Sequence, residues 1–346
     1  MILRERIKKP KFFLKGIATY LPSPIAQFLP QLQLQFRGKG IRKYEDPHEM
    51  AMNFYTSWMR TLITLDKEGQ VDTSTIKSIA EIGPGDSLAT GLAAMLSGVD
   101  HYLGLDAVPT AYNFNNEEIF EELVNIFKKR TPLLTREECP KQRPYLDSYN
   151  FPSHILTDER LARTLSDSRI ENIRQAIRAK GKKKETDEIS ISYSVPWDSD
   201  TALAQHAKTI DMVMSFAALE HVDDVPRTYY GIDVLLKDDG VIASSIDYKC
   251  HDTAGLRNGQ YWYTDLEWKI VRGKSAFLIN RWPHGWHMKE MQKYCDILQE
   301  QVFYFPNKNI LERADLAPRF SQITDEDIKT AEAFIVGRKK KNTEKS

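Results

Sequence analysis

Five short apolar runs rich in β-branched residues constrain this chain more than any other feature: SIAEIG, HYLGLDAV, EISISYSV, IDMVMSFA and DGVIASSID. Runs apolar on both sides suit strands buried on two faces, as in a parallel sheet sandwiched between helices. Segments of helical period lie among them. LATGLAAMLSG follows the first run and closes at Gly98, a C-cap residue. NEEIFEELVNIFKKR sets Ile119, Leu123, Ile126 and Phe127 on one side. TDERLARTLSDSRIENIRQAIRAKG reads as one helix, opened by Thr157 or Asp158 and closed by Gly181. VPRTYYGIDVLL and HMKEMQKYCDILQE read as two more, and VFYF and AEAFIVGR as closing strands. A helix over residues 49–67, with Met52, Tyr55, Met59 and Leu62 in register, precedes the first run. This alternation predicts an α/β fold with a doubly wound, mostly parallel sheet.

The expected plan is an N-terminal helical segment over residues 1–75, one domain over 76–337 and a basic tail over 338–346. The domain carries a helical insertion, 110–187, after the second strand, expected to cover one end of the sheet. A second insertion, 250–287, is rich in aromatics. A chain of 346 residues, 41% hydrophobic, is long enough for such a core. Its 48 basic and 48 acidic side chains cancel, so it lacks the basic character of a nucleic-acid binder. Cys139, Cys250 and Cys295 are odd in number and far apart. They form neither a disulfide framework nor a cysteine zinc site, which points to reducing cytoplasm. FFLKGIATYL is interrupted by Lys15 and too short to span a bilayer. The start, with Arg4, Arg6, Lys8, Lys9 and Lys11 beside Phe12, Phe13 and Leu14, suits weak contact with an anionic membrane surface. A helix packed on the domain is the preferred reading.

The first strand runs into a glycine turn, AEIGPGDS. Gly83 and Gly85 allow tight turning and let a ligand touch backbone with no Cβ in the way. Asp106 ends the second strand about 20 residues on, where a carboxylate can accept both hydroxyls of a ribose. A ribose and a glycine turn fit NAD as well as other nucleosides. The dinucleotide fingerprint, however, needs a third glycine where Leu88 stands. Glu81, expected near the ligand, favours a cation over phosphates. S-adenosylmethionine carries an ammonium and a sulfonium, and no phosphate.

E-I-G-P-G-D-S, G-L-D at 104–106 and S-F-A-A-L-E-H-V at 215–222 together resemble the Rossmann-like S-adenosylmethionine-dependent methyltransferases. The resemblance covers 76–109 and 188–248, and more loosely the chain's end. It implies a seven-stranded sheet with a final antiparallel strand. It implies cofactor contacts from Glu81, Gly83, Gly85, Asp86, Asp106 and Ala107, with SYSVPWD, including Ser194, near the adenine and Ser215 on the fourth strand. Ser87 departs from the third glycine of many members. A looser likeness is to bacterial methyltransferase-domain proteins of surface-polysaccharide loci.

Methyl transfer to a hydroxyl needs a base, most often histidine. His221 follows the fourth strand, and Asp247 and His251 follow the fifth. His251 is the first choice as base, with Asp247 orienting it or facing the acceptor. The three could also gather a divalent ion, but no tight ligand spacing such as H-E-x-x-H occurs, so no metal is expected. Some rings among Tyr261, Trp262, Tyr263, Trp268, Trp282 and Trp286 are expected to line the acceptor cleft; His284 and His287 rank lower. Tyr55 and Trp58 are read as core. The function expected is transfer of a methyl group to a small molecule or glycan, with no nucleic-acid partner. The alternatives are an NAD-dependent oxidoreductase and a catalytically silent cofactor-binding protein.

Overall fold

The computed structural model describes residues 9–21, 46–180 and 188–341. Arg4, Arg6, Lys8, Gly181, most of the charged loop at 180–188 and the last five residues lie outside that range. Helix α1, Lys9–Ala18, opens the described chain. Helix α2, Pro47–Asp66, begins at Asp46, whose carboxylate accepts from His48 N at 2.9 Å. Strand β1, Ser78–Ile82, is buried at every position, and helix α3, Ala89–Leu96, follows the glycine turn. Gly98, at φ 117°, ends that helix, and strand β2, His101–Leu105, follows.

Helix α4, Asn116–Lys128, is capped by Asn115. The stretch read as one helix is two, α5 (Asp158–Thr164) and α6 (Asp167–Ala179). The Ser166 hydroxyl accepts from Arg169 N, so a serine inside the periodic pattern acts as an N-cap and restarts the helix. Strand β3, Ser190–Ser194, is followed by a short helix not anticipated, α7, Asp200–Gln205. Strand β4, Ile210–Phe216, helix α8, Val225–Leu235, and strand β5, Leu236–Asp247, come next. Helices α9, Asp265–Arg272, and α10, His284–Met291, precede strand β6, Cys295–Tyr304. Helix α11, Asp325–Lys329, leads into strand β7, Thr330–Lys339.

CDILQE, expected to continue the helix of HMKEMQKY, is the start of β6. It lies along β7, Cys295 opposite Lys339, and tertiary pairing overrides its local preference. Arg338 and Lys339, assigned to the tail, belong to β7; Lys339 is buried and its ammonium donates to Leu236 O at 3.0 Å.

The sheet has the order β3-β2-β1-β4-β5-β7-β6. β7 runs antiparallel to β5 and β6, and the other pairings are parallel. It is a doubly wound α/β sheet. Alternation along the strands splits the core. Ile79, Tyr102, Met212 and Val241 pack under α2, α3, α4 and α6. Ala80, Leu103, Val213 and Ile242 pack under α7, α8 and α10. The stretch after β2 therefore lays helix on a face of the sheet, where it was expected over one end. The Arg60 guanidinium, fully buried on α2, pins its loop by donating to the carbonyls of Leu134, Thr135, Gln142 and Pro144.

α1 packs on α9, with Lys9 Nζ 3.0 Å from Glu267 Oε1. Its other side leaves Leu14 and Ile17 exposed. Among the described residues no helix is long and apolar enough to cross a membrane.

Candidate functional site

The strand order reverses between β1 and β4, where an α/β sheet opens a crevice beyond its carboxyl ends. A cleft of 430 Å³ lies there. Its floor is the glycine turn after β1. Gly83, at φ 72°, donates its N–H to Leu105 O at 2.8 Å, and a Cβ on it would sit 2.5 Å from Ala218 Cβ. Gly85, at φ 71°, has open space where its Cβ would be. Both line the cleft, as do Asp106 and Ala107. Asp106 Oδ1 accepts from Ala107 N at 2.7 Å and Val108 N at 3.4 Å, which curls the loop after β2. Burial raises the Asp106 carboxyl above its ordinary range, with amides at Ala107, Val108 and Gly85 opposing. Thr110 Oγ1 donates to Gly85 O at 2.9 Å, and Tyr193 Oη donates to Val108 O at 2.9 Å, tying the two loops and β3 together.

Four residues expected at the ligand lie elsewhere. Glu81 shares the face of Ile79, two residues earlier, and points under α3. It is buried, accepts from Tyr102 Oη at 2.6 Å, and does not line the cleft. Asp86 accepts from Asn113 Nδ2 at 2.6 Å and does not line the cleft. Ser194 is a strand residue whose carbonyl accepts from Asp106 N, and Ser215 is fully buried, donating to Ile82 O at 3.3 Å. Neighbours of the last two take their places: Trp197 and Asp198 from SYSVPWD, and Ala217 and Ala218 from SFAALEHV. Period-two alternation from Ile79 is a signal that separates Glu81 from the cleft. Ser87, in place of a third glycine, is buried and donates to Asn116 Oδ1 at 2.8 Å, and that oxygen also accepts from Leu88 N at 2.9 Å.

Burial beneath α3 pushes the Glu81 carboxyl up to about 7, with hydrogen bonds from Tyr102 and Thr90 opposing. The folded pKa thus lies above the unfolded one. The stability this gives is complete below about pH 4.5 and is lost as pH rises through about 7. The loss attributable to Glu81 is about 3 kcal/mol. Urea unfolding of the protein and of Glu81→Gln across that window checks this. The variant's stability is expected to fall less with pH, and parallel curves would refute the assignment.

His221 lines the cleft. Its Nδ1 lies 2.8 Å from Phe277 O, a carbonyl with no proton, so Nδ1 donates and Nε2 keeps its lone pair. Burial first, then His251, lowers its pKa, so the ring is neutral at pH 7. His251 packs edge-on against it, ring centroids 5.1 Å apart, and donates from Nδ1 to Lys249 O at 2.8 Å. His251 and Asp252 both sit at positive φ, 47° and 60°. Asp247 does not orient His251. Its Oδ2 is 3.8 Å from His251 Nε2, beyond hydrogen-bond reach, and the carboxylate accepts instead from Lys249 N at 2.8 Å and Lys249 Nζ at 3.0 Å.

None of the six rings expected to line the cleft does so. Tyr261 and Trp262 pack in a small core with Leu311 and Phe320, and Tyr263 and Trp268 in another with Phe12 and Ile279. Trp282 and Trp286 pack edge-on at 5.8 Å, Trp282 against the sheet core under α8 and α10 and Trp286 against the core of Tyr261 and Trp262. His287 is fully buried against Tyr229 Oη at 3.1 Å, and His284 pairs with Glu300 at 2.5 Å. Phe277, which sequence reasoning passed over, is the ring from this region that borders the cleft. Tyr55 and Trp58 are core, donating to Thr131 O at 2.6 Å and Ser97 Oγ at 2.8 Å.

No protein-family model and no curated protein matches the chain. Solved structures similar to it include a candidate sarcosine dimethylglycine methyltransferase from Galdieria sulphuraria, at 13% identity and TM-score 0.41, covering 86% of this chain and 92% of that one. Another is an S-adenosylmethionine-dependent methyltransferase from Mesorhizobium loti, at 14% identity and TM-score 0.35, covering 78% and 93%. A geranyl diphosphate methyltransferase in complex with S-adenosylmethionine is similar at 9% identity and TM-score 0.38, covering 88% and 94%. At these values the likenesses do not bear on chemistry, which the residues at the strand ends decide.

Proposed function

We propose that the chain is an S-adenosylmethionine-dependent methyltransferase acting on a hydroxyl of a small molecule or glycan. The observation that carries this reading is the cleft's charge. Its lining includes Asp106, Asp198, Asp223 and Asp224 and, among the described residues, no lysine or arginine. Asp223 has a partner in Arg272 at 2.5 Å, and Asp224 caps α8; Asp106 and Asp198 line the cleft with no ion-pair partner among the described residues. Such walls repel a pyrophosphate and attract a cation. With Glu81 outside the cleft, these aspartates take over the part first given to it.

Gly83 and Gly85 supply bare backbone for the methionine end, Asp106 accepts from the ribose hydroxyls, and Trp197 and Asp198 border the adenine. The cofactor brings the reactive methyl group, and the protein holds the acceptor in line with it. The neutral imidazole of His221, with His251 against it, activates the hydroxyl. These roles follow from position at the strand ends and from the resemblance of the motifs.

Calorimetry with S-adenosylhomocysteine and with NAD tests the proposal. S-adenosylhomocysteine is expected to bind and NAD to give no heat; the reverse result would replace methyl transfer by hydride transfer. Transfer of labelled methyl to a panel of sugars and phenols then separates an enzyme from a silent binding protein.

A further inference from the structure

We propose that Glu220, His221 and His251 form a site for one divalent first-row transition-metal ion at the edge of the cleft. Each offers one ligand atom, and the three atoms lie within 4.8 Å of one another. Movements of about 1 Å bring them to the roughly 3.4 Å spacing of donors around an ion with bonds of about 2.1 Å.

Three further observations point to a ligand. First, both imidazoles are prepared in the way metal-binding histidines are. Nδ1–H of each donates to a backbone carbonyl, Phe277 O and Lys249 O, both at 2.8 Å, which leaves each Nε2 lone pair free to coordinate. Second, the Glu220 carboxylate is 3% exposed and neither of its oxygens has a hydrogen-bond partner. A buried carboxylate without a partner is costly, and a bound cation removes that cost. Third, the neighbouring charges are already matched. Asp247 pairs with Lys249, and Glu332 pairs with Lys249 and with Arg143 Nε at 2.7 Å. Among the described residues, Lys249 and Arg143 are thus taken up by Asp247 and Glu332.

Two imidazoles and one carboxylate suit zinc, manganese, iron or cobalt better than magnesium or calcium, which prefer oxygen. Three protein ligands leave coordination positions open, and His221 puts them at the cleft. The spacing that spoke against a metal in the sequence concerned ligands on one helix. Here two come from the turn after β4 and one from the loop after β5, brought together only by the parallel pairing of those strands.

The inference deepens the proposed methyl transfer and rests on it for its chemical consequence. The acceptor hydroxyl takes an open position, and the ion lowers its pKa as it does that of bound water. The proton goes to solvent. The oxygen electron pair forms the bond to the methyl carbon, the sulfur–carbon bond breaks, and its electrons return to sulfur, giving a neutral thioether. The histidines then act through the ion, in place of direct proton removal.

The test uses the whole protein, stripped with a chelator and titrated with Co2+, read by visible absorption and calorimetry. One Co2+ per chain is expected. Glu220→Gln and His251→Ala are each expected to weaken it by roughly 100-fold or more, since loss of an outer-shell partner alone costs about 10- to 100-fold. Glu220→Gln keeps the shape of the side chain and is expected to retain the fold; the unfolding midpoint checks this. S-adenosylhomocysteine affinity is expected to stay within about twofold in both variants, because neither side chain lines the cofactor cleft. Absence of saturable Co2+ binding, or binding that neither variant weakens, overturns the site. Nucleoside binding without Co2+ binding defeats the metal alone. Co2+ binding without nucleoside binding defeats the cofactor reading and leaves the metal site standing.

Discussion

Gly83→Ala is expected to lower the unfolding free energy by about 3 kcal/mol, whereas Gly85→Ala, two residues away, costs only about 1 kcal/mol. Both glycines hold a left-handed conformation, φ 72° and 71°, so both variants carry the strain of a Cβ there. They differ in what the Cβ meets. At Gly83 it would lie 2.5 Å from Ala218 Cβ, and neither partner can rotate away. Ala218 follows Ala217, itself at φ 53°, so the turn after β4 has little freedom to retreat. At Gly85 the added carbon enters open space. Gly85 lines the cleft, so Gly85→Ala is expected to weaken nucleoside binding while nearly sparing stability. Urea unfolding and calorimetry on the two variants measure both quantities. Equal stabilities would show that the approach to Ala218 does not constrain the turn.

Asp106→Ala is expected to weaken S-adenosylhomocysteine by about 100-fold. A hydrogen bond to a charged group contributes about 1.5–3 kcal/mol, and a ribose offers two hydroxyls to one carboxylate. The same carboxylate accepts from Ala107 N and Val108 N, so some of the loss comes from a loosened loop. Asp106→Asn separates the two effects. Its amide oxygen still caps the loop, but it accepts one hydroxyl less well and is expected to lose about tenfold. Calorimetry gives both values, and unchanged affinity in Asp106→Ala would remove the ribose from this strand end.

Much of the fold was legible because strands and helices announce themselves by period. β1, β2, β3 and β4 lie within the apolar runs and α3, α4 and α8 within the amphipathic ones, while β7 and α2 overrun theirs by one or two residues. Errors fell where a local signal was outweighed. Ser166 splits a periodic stretch by capping, and CDILQE follows its neighbour strand instead of its own pattern. At the site, Gly83, Gly85, Asp106, Ala107 and His221 stand at the cleft because strand ends are readable from sequence. Glu81 and Ser215 were misplaced because burial on one face or the other depends on what packs there. The aromatic cluster misled for a different reason. Rings of that density serve equally as a sugar platform or a satellite core, and only contacts with Phe12, Leu311 and Phe320 distinguish the two.

The residues by themselves determined a doubly wound sheet, a bare turn after its first strand and an acid after its second, because backbone geometry and side-chain period are local properties. Only the folded chain decided which acids face the cleft and that Glu220, His221 and His251 meet. Glu220 and His251 are separated by the whole of α8 and β5, and the parallel pairing of β4 with β5 returns their strand ends to the same edge.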